Sequence, residues 1–579
     1  MSSGSVEARY RDRRRLRTKD ETVNQIPEVH PLGNHAKVLL SSVFGPYAQD
    51  DEYGSRSINP MELYHNQVTR VQRGFSLRMF HRSWGIKLIL ENIGAPTTLL
   101  DFPTRERFIE ELTSRDYDIV GITSIIPNVG KVAHMCELIR RHLPGAQILV
   151  GGHVANLPQL ADRIDADHIV RGEGVSWMRR YLGQDPGAPI KHPHLVSGLG
   201  ARAMGVSLSE KTGDVAATLI PSVGCPMGCN FCSTSAMFGG KGNCYHFFES
   251  GDELFEVMCD LEQSMRVCSF FVMDENFLLH RKRALRLLEL MQRNDKAWAL
   301  YVFSSGKVLQ SYTIEQLVGL GISWVWMGLE GKDSRYAKLK RVDTRELVKT
   351  LQGHGIRVLG STIIGLEEHT PENIDQAIDH AARHETEFHQ FMLYTAVAGT
   401  PLHAEYRDRG SLLGEDQIDL ADTHGQLRFN FKHPHITGGQ ENEFLLRAFR
   451  RDFELNGPSI VRIVRTMLAG WRRYKNYTDA RVRRRFRWEA RDLTVSCSAT
   501  LWAAQRWYRG NKPMVEKISR TLRELYRECG LKARMIAPVA GRYVYMKLRR
   551  EEQRLGEGWT YEPPTICEHN AAVGAVPIT

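Results

Sequence analysis

The sequence predicts an α/β chain: two unlike sheet domains followed by a helical region. Three observations carry this. From residue 37 short apolar runs alternate with amphipathic stretches of about 10 to 15 residues, the pattern of strand-helix-strand units. A second series of such runs follows a loop bearing three close cysteines near residue 225. Beyond residue 436 the apolar spacing becomes helical and the charge turns basic.

At 579 residues the chain is too long for one core, and domains of about 150 residues each give three or four. The expected division is a basic disordered tail (1–34), a first sheet domain (35–190), a linker (191–214), a strand-helix barrel (215–435), a basic helical domain (436–555) and a disordered tail (556–579). With 42% hydrophobic and 25% charged residues the composition is globular, and no apolar run nears the roughly 20 residues of a membrane span. The N-terminal "EARYRDRRRLRTKDE" lacks an apolar core and a cleavage site, so it does not read as a secretory signal. Ten cysteines without even pairing fit the reducing cytoplasm better than a disulfide scaffold. A net charge of +10 admits nucleic acid, an anionic membrane surface or an acidic substrate, and does not choose among them.

In the first domain the runs "KVLLSSVF", "TTLLDF", "YDIVGITSII", "AQILVGG" and "ADHIVRGEG" are separated by stretches such as "VGKVAHMCELIRRHL", which predicts a doubly wound parallel (Rossmann-like) sheet. Ligands of such sheets sit outside the carboxyl ends of the strands. Ser124, the Gly151-Gly152-His153 turn and Gly172-Glu173-Gly174 each follow directly on a strand, and glycines there let a ligand approach the backbone. A long insertion after the first strand carries His65, Asn66, Gln67, Arg70, Arg78, His81 and Arg82. It reads either as a surface loop packed by its own aromatics or as a cap that covers the ligand face or selects substrate.

"DIVGITSII", "ILVGGHVAN" and "DHIVRGEG" resemble the cobalamin-binding domain that precedes the barrel in B12-dependent radical SAM enzymes. The resemblance implies that Ser124 and the Gly151-Gly152 turn line the pocket for the corrinoid and its nucleotide tail. The Asp-x-His-x-x-Gly motif that supplies a histidine to cobalt in methionine synthase and methylmalonyl-CoA mutase relatives is absent, so a bound cobalamin is expected to lack a protein histidine on its lower face. His153 reads as a turn residue.

In "PSVGCPMGCNFCSTS", Cys225, Cys229 and Cys232 stand three and two residues apart. Structural zinc sites use four ligands, often two separated Cys pairs. Here there is one compact triad, with Cys244 as the one conceivable fourth. The better reading is a [4Fe–4S] cluster held at three irons, with the fourth left open. Cys-x3-Cys-x2-Cys with an aromatic before the last cysteine is the signature of the radical SAM superfamily. In that family S-adenosylmethionine occupies the open iron and is cleaved reductively to a 5′-deoxyadenosyl radical. Phe231 falls by family position near the adenine, or else simply packs.

"TLIPSVG", "CSFFVMDENF", "WALYVFSS", "SWVWMGLEG", "IRVLGSTIIGLEE" and "EFHQFMLYTAVAGTPLH" then recur as strands, predicting a partial (β/α)6 barrel with chemistry at the carboxyl ends. Asp274-Glu275-Asn276 resembles the acidic motif after the second strand of B12-binding members. Glu330 falls where the family places a polar residue near the ribose or amino group of S-adenosylmethionine. "TIIGLEEHT" and "AVAGTPLH" resemble the fifth- and sixth-strand segments.

The third region opens with "GPSIVRIVRTMLAGWRRYKNY", which places Ile460, Val464, Met467, Leu468 and Trp471 on one face. "DARVRRRFRWEARD" follows, an arginine run with interleaved aromatics. It reads as a helical cap on the barrel with its arginines exposed, as a surface for anionic lipid, or, last because no RNA-binding module is visible, as a nucleic-acid contact. The remaining cysteines, Cys136, Cys259, Cys268, Cys497, Cys529 and Cys567, have no partner at metal-ligand spacing.

The resemblance, which covers about residues 37 to 405, implies a cytoplasmic cobalamin-dependent radical SAM enzyme that methylates an unactivated carbon of a small-molecule or lipid substrate. Its cofactors would be a [4Fe–4S] cluster, S-adenosylmethionine and cobalamin, and an electron donor such as flavodoxin or ferredoxin would serve it. Relatives that cyclise or oxidise use the same cofactor sites and form the first alternative; a corrinoid or redox sensor is the second.

Overall fold

The computed structural model describes residues 27–53, 58, 61–330 and 342–570. Of the expected N-terminal tail, residues 1–26 lie outside the described residues. Residues 27–34 pack on the first domain: the His30 amide donates to the Tyr181 carbonyl at 2.7 Å and His30 is buried.

The strands are β1 (Val38–Ser42), β2 (Arg78–Phe80), β3 (Thr97–Asp101), β4 (Ile119–Thr123), β5 (Gln147–Gly151) and β6 (His168–Ile169), then β7 (Val196–Ser197), β8 (Leu199–Ala203) and β9 (Val206–Ser207). β3-β1-β4-β5-β6 form a parallel sheet in that order. β1 is buried along its whole length, as expected of a parallel strand covered on both faces. The strand order reverses between β1 and β4, so the crevice for a ligand opens where the chain leaves Ser42 and Thr123.

The second sheet holds β10 (Ala216–Leu219), β13 (Ser269–Val272), β14 (Ala299–Ser304), β15 (Ile322–Gly328), β16 (Arg357–Ile364) and β17 (Phe388–Leu393), parallel and in chain order. A short antiparallel pair, β11 (Ser222–Val223) and β12 (Tyr245–His246), stands beside it. Alternate residues of the sheet, among them Val302, Val325 and Val358, pack against the helices Gly251–Met265 and Arg281–Arg293 through Leu254, Met258, Leu287 and Met291. The other face carries Phe271, Tyr301, Phe303, Trp324 and Trp326, whose rings touch in sequence with centroids 4.9–5.8 Å apart.

The described part of the insertion from Tyr64 to His81 packs on this aromatic face. Tyr64 and Val68 pack on Leu359 and Phe388, and the Gln390 amide donates to Gln67 Oε1 at 2.8 Å. The His81 ring stacks on Phe271 at 5.3 Å, and Arg70 donates to the Gln426 carbonyl at 2.8 Å. Burial lowers the pKa of His65 to about 3 and that of His81 to about 4, so both imidazoles are neutral packing groups.

Residues 191–214, expected as a linker, are instead structured. β7 pairs antiparallel with β10, and β8 pairs antiparallel with both β2 and β9, which ties the two sheet domains together. The C-terminal tail is a second correction. β18 (Ile566–His569) adds an antiparallel strand to the free edge of β3. Glu562 accepts from the Tyr47 and Ala48 amides at 2.9 Å, and Glu568 meets Lys87 at 3.0 Å and Arg82 at 2.6 Å. Residues 571–579 lie outside the described residues. A four-residue strand is too short to read by its alternation, and its partner lies more than 460 positions earlier.

The C-terminal helices Gln440–Asn456, Ser459–Tyr474, Ala480–Glu489, Ser498–Trp507 and Lys512–Gly556 close the amino ends of the barrel strands. The arginines expected at the surface are partly inside. Arg462, Arg481 and Arg485 are buried. Arg481 and Arg485 donate to the Gly319 and Val318 carbonyls at 2.6 and 2.9 Å. These are end carbonyls of the helix Ile314–Gly319, which lack intrahelical partners and favour cations. Among the described residues no helix is long and apolar enough to cross a membrane.

Candidate cofactor site

The three-cysteine loop leaves β11 and ends in the helix Ser233–Met237. It closes on itself: the Cys232 amide donates to the Cys229 carbonyl at 3.0 Å, and Ser235 Oγ donates to the Cys225 carbonyl at 2.7 Å. Cys232 caps the helix, its Sγ accepting from the Ser235 amide at 3.5 Å. Gly228 sits at φ +64°, and a Cβ there would stand 2.5 Å from Lys241 Cβ, so the loop can fold this tightly only over glycine. None of the three cysteines forms a disulfide, and all three are half-buried. Burial pushes Cys225 up to about 11 against a hydrogen bond from the Met227 backbone, and the neighbouring Cys232, Cys229 and Glu275 push it further. A buried thiol that resists ionisation suits a multiply charged metal centre, which supplies the missing positive charge.

The acidic motif divides into two roles. Asp274 is buried and fully engaged: it accepts from Ser222 Oγ at 2.5 Å, from the Asn276 amide at 3.0 Å and from Arg283. Glu275 carries an Oε2 with no hydrogen-bond partner. Burial raises its pKa to about 8, a backbone hydrogen bond partly opposing and the Asp274 charge adding. The ligand-free chain therefore keeps a proton there that the unfolded chain releases near 4.5. The stability it contributes is complete below pH about 4.5 and is lost as pH rises toward about 8. Glu275→Gln is expected to flatten the fall in denaturation midpoint over that window; an unchanged slope would place the titration elsewhere.

Phe231 sets its ring 6.3 Å from Tyr394, just beyond β17. The adjacent Asn230 carbonyl accepts from the Leu402 amide at 3.0 Å, while Asn230 Oδ1 is buried without a partner. Glu330 is buried at the end of β15, and residues 331–341 after it lie outside the described residues. Trp326 Nε1 donates to Ser361 Oγ, which donates to Gln390 Oε1, both at 2.7 Å. This polar row continues through Gln390 to Gln67 of the insertion, and sequence reasoning missed it because each member reads alone as an ordinary strand residue.

On the first sheet, Gly152 sits at φ +82°, and a Cβ there would stand 2.7 Å from the Ser124 carbonyl. The Ser124 amide in turn donates to the Gly151 carbonyl at 3.2 Å. The two loops are thus held in direct backbone contact. Burial lowers the pKa of His153. Glu173 spends both carboxylate oxygens capping the helix Gly174–Tyr181, accepting from the Val175 and Ser176 amides at 2.5 and 2.8 Å. Gly174 backs onto Ile89.

This rim faces the cysteine loop. The helix Ser233–Met237 packs against the turn His153–Asn156, a Cβ on Gly172 would stand 3.9 Å from the Met237 carbonyl, and Ser176 Oγ lies 3.1 Å from Tyr245 Oη. Two cavities lie apart from this rim. One of about 580 Å³ opens between the loops after β1 and β3, walled by Glu562. The other, about 360 Å³, lies at the amino ends of the barrel strands beneath Tyr64 and His81.

Comparison with known proteins agrees with this architecture. Residues 84–182 match the B12 binding domain and residues 219–381 the Radical SAM superfamily. The chain is 25% identical over 337 residues to an uncharacterized methyltransferase of Pyrococcus horikoshii, spanning 52% of this chain and 71% of that protein. It is 24% identical over 340 residues to the bacteriochlorophyllide d C-12(1)-methyltransferase of Chlorobaculum tepidum, spanning 56% and 72%. The radical S-adenosylmethionine methyltransferase TsrM of Kitasatospora setae, solved with cobalamin and a [4Fe-4S] cluster, aligns with a TM-score of 0.46 at 17% identity over 79% of this chain and 98% of that one. The donor set fits the implied groups: three neighbouring thiols and an unpartnered carboxylate oxygen of Glu275 for cluster and S-adenosylmethionine, and a glycine turn on the first sheet for a corrinoid. The chain thus carries a match to the B12 binding domain followed by a match to the Radical SAM superfamily.

Proposed function

We propose that the protein is a cobalamin-dependent radical SAM methyltransferase acting on an unactivated carbon of a small molecule. The observation that carries this reading is the packing of the cysteine-loop helix on the His153–Asn156 turn, which brings the two cofactor-bearing loops to one crevice. Cys225, Cys229 and Cys232 would hold the cluster. When bound, the cofactors supply an electron, a 5′-deoxyadenosyl radical that removes a hydrogen atom, and a methyl group to replace it. Glu275 offers its free oxygen to a hydroxyl or ammonium of S-adenosylmethionine, Phe231 flanks the site beside Tyr394, and Ser124, Gly151 and Gly152 carry the corrinoid rim. Trp326, Ser361, Gln390 and Gln67 floor the barrel and exclude water from the side where a radical would be quenched. None of the ten cysteines forms a disulfide, which fits a reducing cytoplasm.

Incubation with methyl-deuterated S-adenosylmethionine, cobalamin, a reductant such as reduced flavodoxin, and lipid or small-molecule extracts tests the reaction. A methyltransferase gives S-adenosylhomocysteine and 5′-deoxyadenosine together, with a product carrying the labelled methyl. A cyclase or oxidase gives 5′-deoxyadenosine alone.

A hydrophobic substrate is favoured by the last helix. Beyond a kink at Gly530, Leu531, Met535, Val539, Tyr543 and Met546 form a row of side chains each more than half exposed. Leu531 to Arg550 includes six Lys or Arg and no Asp or Glu. An apolar row flanked by cations suits the surface of an anionic bilayer, where each Lys or Arg contributes about 1 kcal/mol. Of the Arg483–Arg485 run, Arg485 is buried and Arg484 is exposed. Wild-type protein is expected to sediment with phosphatidylglycerol vesicles, and Met535→Glu with Val539→Glu to lower that binding at least about tenfold. Equal binding by the double variant would contradict the assignment.

A further inference from the structure

Cys244 lies twelve residues beyond the last cysteine of the loop, yet it does not join that triad. The groups acting on Cys225 are Cys229, Cys232 and Glu275. Cys244 turns instead to His246, Sγ to Nε2 at 3.2 Å. β12, which carries His246, pairs with β11, Ser222 opposite His246 and Val223 opposite Tyr245, so this pair stands beside the strand that launches Cys225. A third group arrives from a separate element. His280 stands at the start of the helix Arg281–Arg293, just past the Asp274-Glu275-Asn276 motif, and its imidazole meets that of His246 edge-on, centroids 4.5 Å apart and planes at 88°.

The ligand atoms of Cys244, His246 and His280 all lie within 4.8 Å of one another, and His246 Nδ1 is buried with no hydrogen-bond partner. A thiol–imidazole hydrogen bond accounts for the Cys244–His246 contact. It does not account for a second imidazole turned edge-on into the same space. A tetrahedral ion at about 2.3 Å from sulfur and about 2.0–2.1 Å from nitrogen holds S and N about 3.6 Å apart, so the observed pair needs to open by only a few tenths of an ångström.

We propose that Cys244, His246 and His280 bind one zinc ion, with water in the fourth position, distinct from the iron–sulfur cluster. One thiolate and two imidazoles are a borderline-soft donor set of the kind zinc takes. Burial lowers the pKa of both His246 and His280, so both are neutral and ready to donate. Arg283 and Asp274, ion-paired to each other, are the charged groups nearest the site; Cys244 releases its thiol proton on binding. The ion joins the β11–β12 pair to the helix after the acidic motif and so clamps the two segments that flank the cysteine loop. Among the described residues the site is legible only in three dimensions, because His280 follows His246 by 34 positions.

Zinc and iron are counted by elemental analysis on the reconstituted, desalted wild-type chain and on the Cys225→Ala, Cys229→Ala, Cys232→Ala variant. About one zinc per chain is expected in both, persisting when the iron is lost. Adding Cys244→Ser or His280→Ala to the triple variant is expected to weaken zinc retention at least about tenfold. Cobalt(II) in the triple variant should show the near-ultraviolet thiolate charge-transfer band and strong visible bands of a tetrahedral site, absent with Cys244→Ser. Added zinc should raise the melting temperature of the triple variant and not that of its Cys244→Ser derivative. Wild-type protein retaining no zinc, retention indifferent to Cys244 and His280, or iron lost on Cys244→Ser alone, which would make Cys244 a cluster ligand, each overturns the proposal.

Discussion

Alanine at Cys225, Cys229 and Cys232 together is expected to abolish iron binding at the loop and with it all reductive cleavage of S-adenosylmethionine, while leaving the fold intact. The effect is complete because only one compact thiol triad serves the site. Cys244 faces His246 and cannot replace a lost ligand without moving β12. The loop's internal hydrogen bonds use the Cys225 carbonyl, the Cys229 carbonyl and the Cys232 amide. These backbone groups survive the substitution, so far-ultraviolet circular dichroism should be unchanged. Residual iron with residual 5′-deoxyadenosine formation would contradict the assignment of these three residues.

Glu489→Ala is expected to produce the largest loss of stability. Glu489 meets Arg357 of β16 and, at 3.2 Å, Arg485, with side-chain exposures of 6%, 9% and 2% respectively. Removing the carboxylate strands two buried guanidiniums, and breaking a buried pair in this way costs about 3–5 kcal/mol. That is a large share of the 5–15 kcal/mol typical of a domain. The exposed neighbour Arg487 serves as control: Arg487→Ala should change stability by no more than about 0.5 kcal/mol. Denaturant midpoints on both variants check this. Equal small effects would mean that the ion cluster does not hold the C-terminal helices to the barrel.

The frame of both sheets was legible because parallel strands covered by helices read as apolar runs at regular intervals, and "YVFSS" and "WVWMG" announce their alternation directly. The cysteine loop was legible because its ligands are local. What stayed hidden depends on distant pairing. β18 finds its edge on β3 only across nearly the whole chain, and the insertion's role depends on an aromatic sheet face on which it packs. The arginine run looked like surface because composition does not show that Arg481 and Arg485 end on the Val318 and Gly319 carbonyls. In the acidic motif, charge alone does not tell Asp274, held by Arg283, from Glu275, whose Oε2 stays free. Glu173 likewise read as a rim ligand, and the structure uses it as a helix cap.

The central claim is that one crevice holds both the cluster loop and the corrinoid rim. Anaerobic reconstitution with iron, sulfide and cobalamin, followed by metal analysis and an absorption spectrum of the desalted protein, tests it most directly. The account predicts a full [4Fe–4S] complement and about one corrinoid per chain, with the corrinoid lost on Gly152→Val, whose side chain would collide with the Ser124 carbonyl, and the iron kept. Iron without corrinoid in the wild-type protein would contradict it, ending the methyl-transfer reading and leaving the first sheet as a platform for substrate or partner.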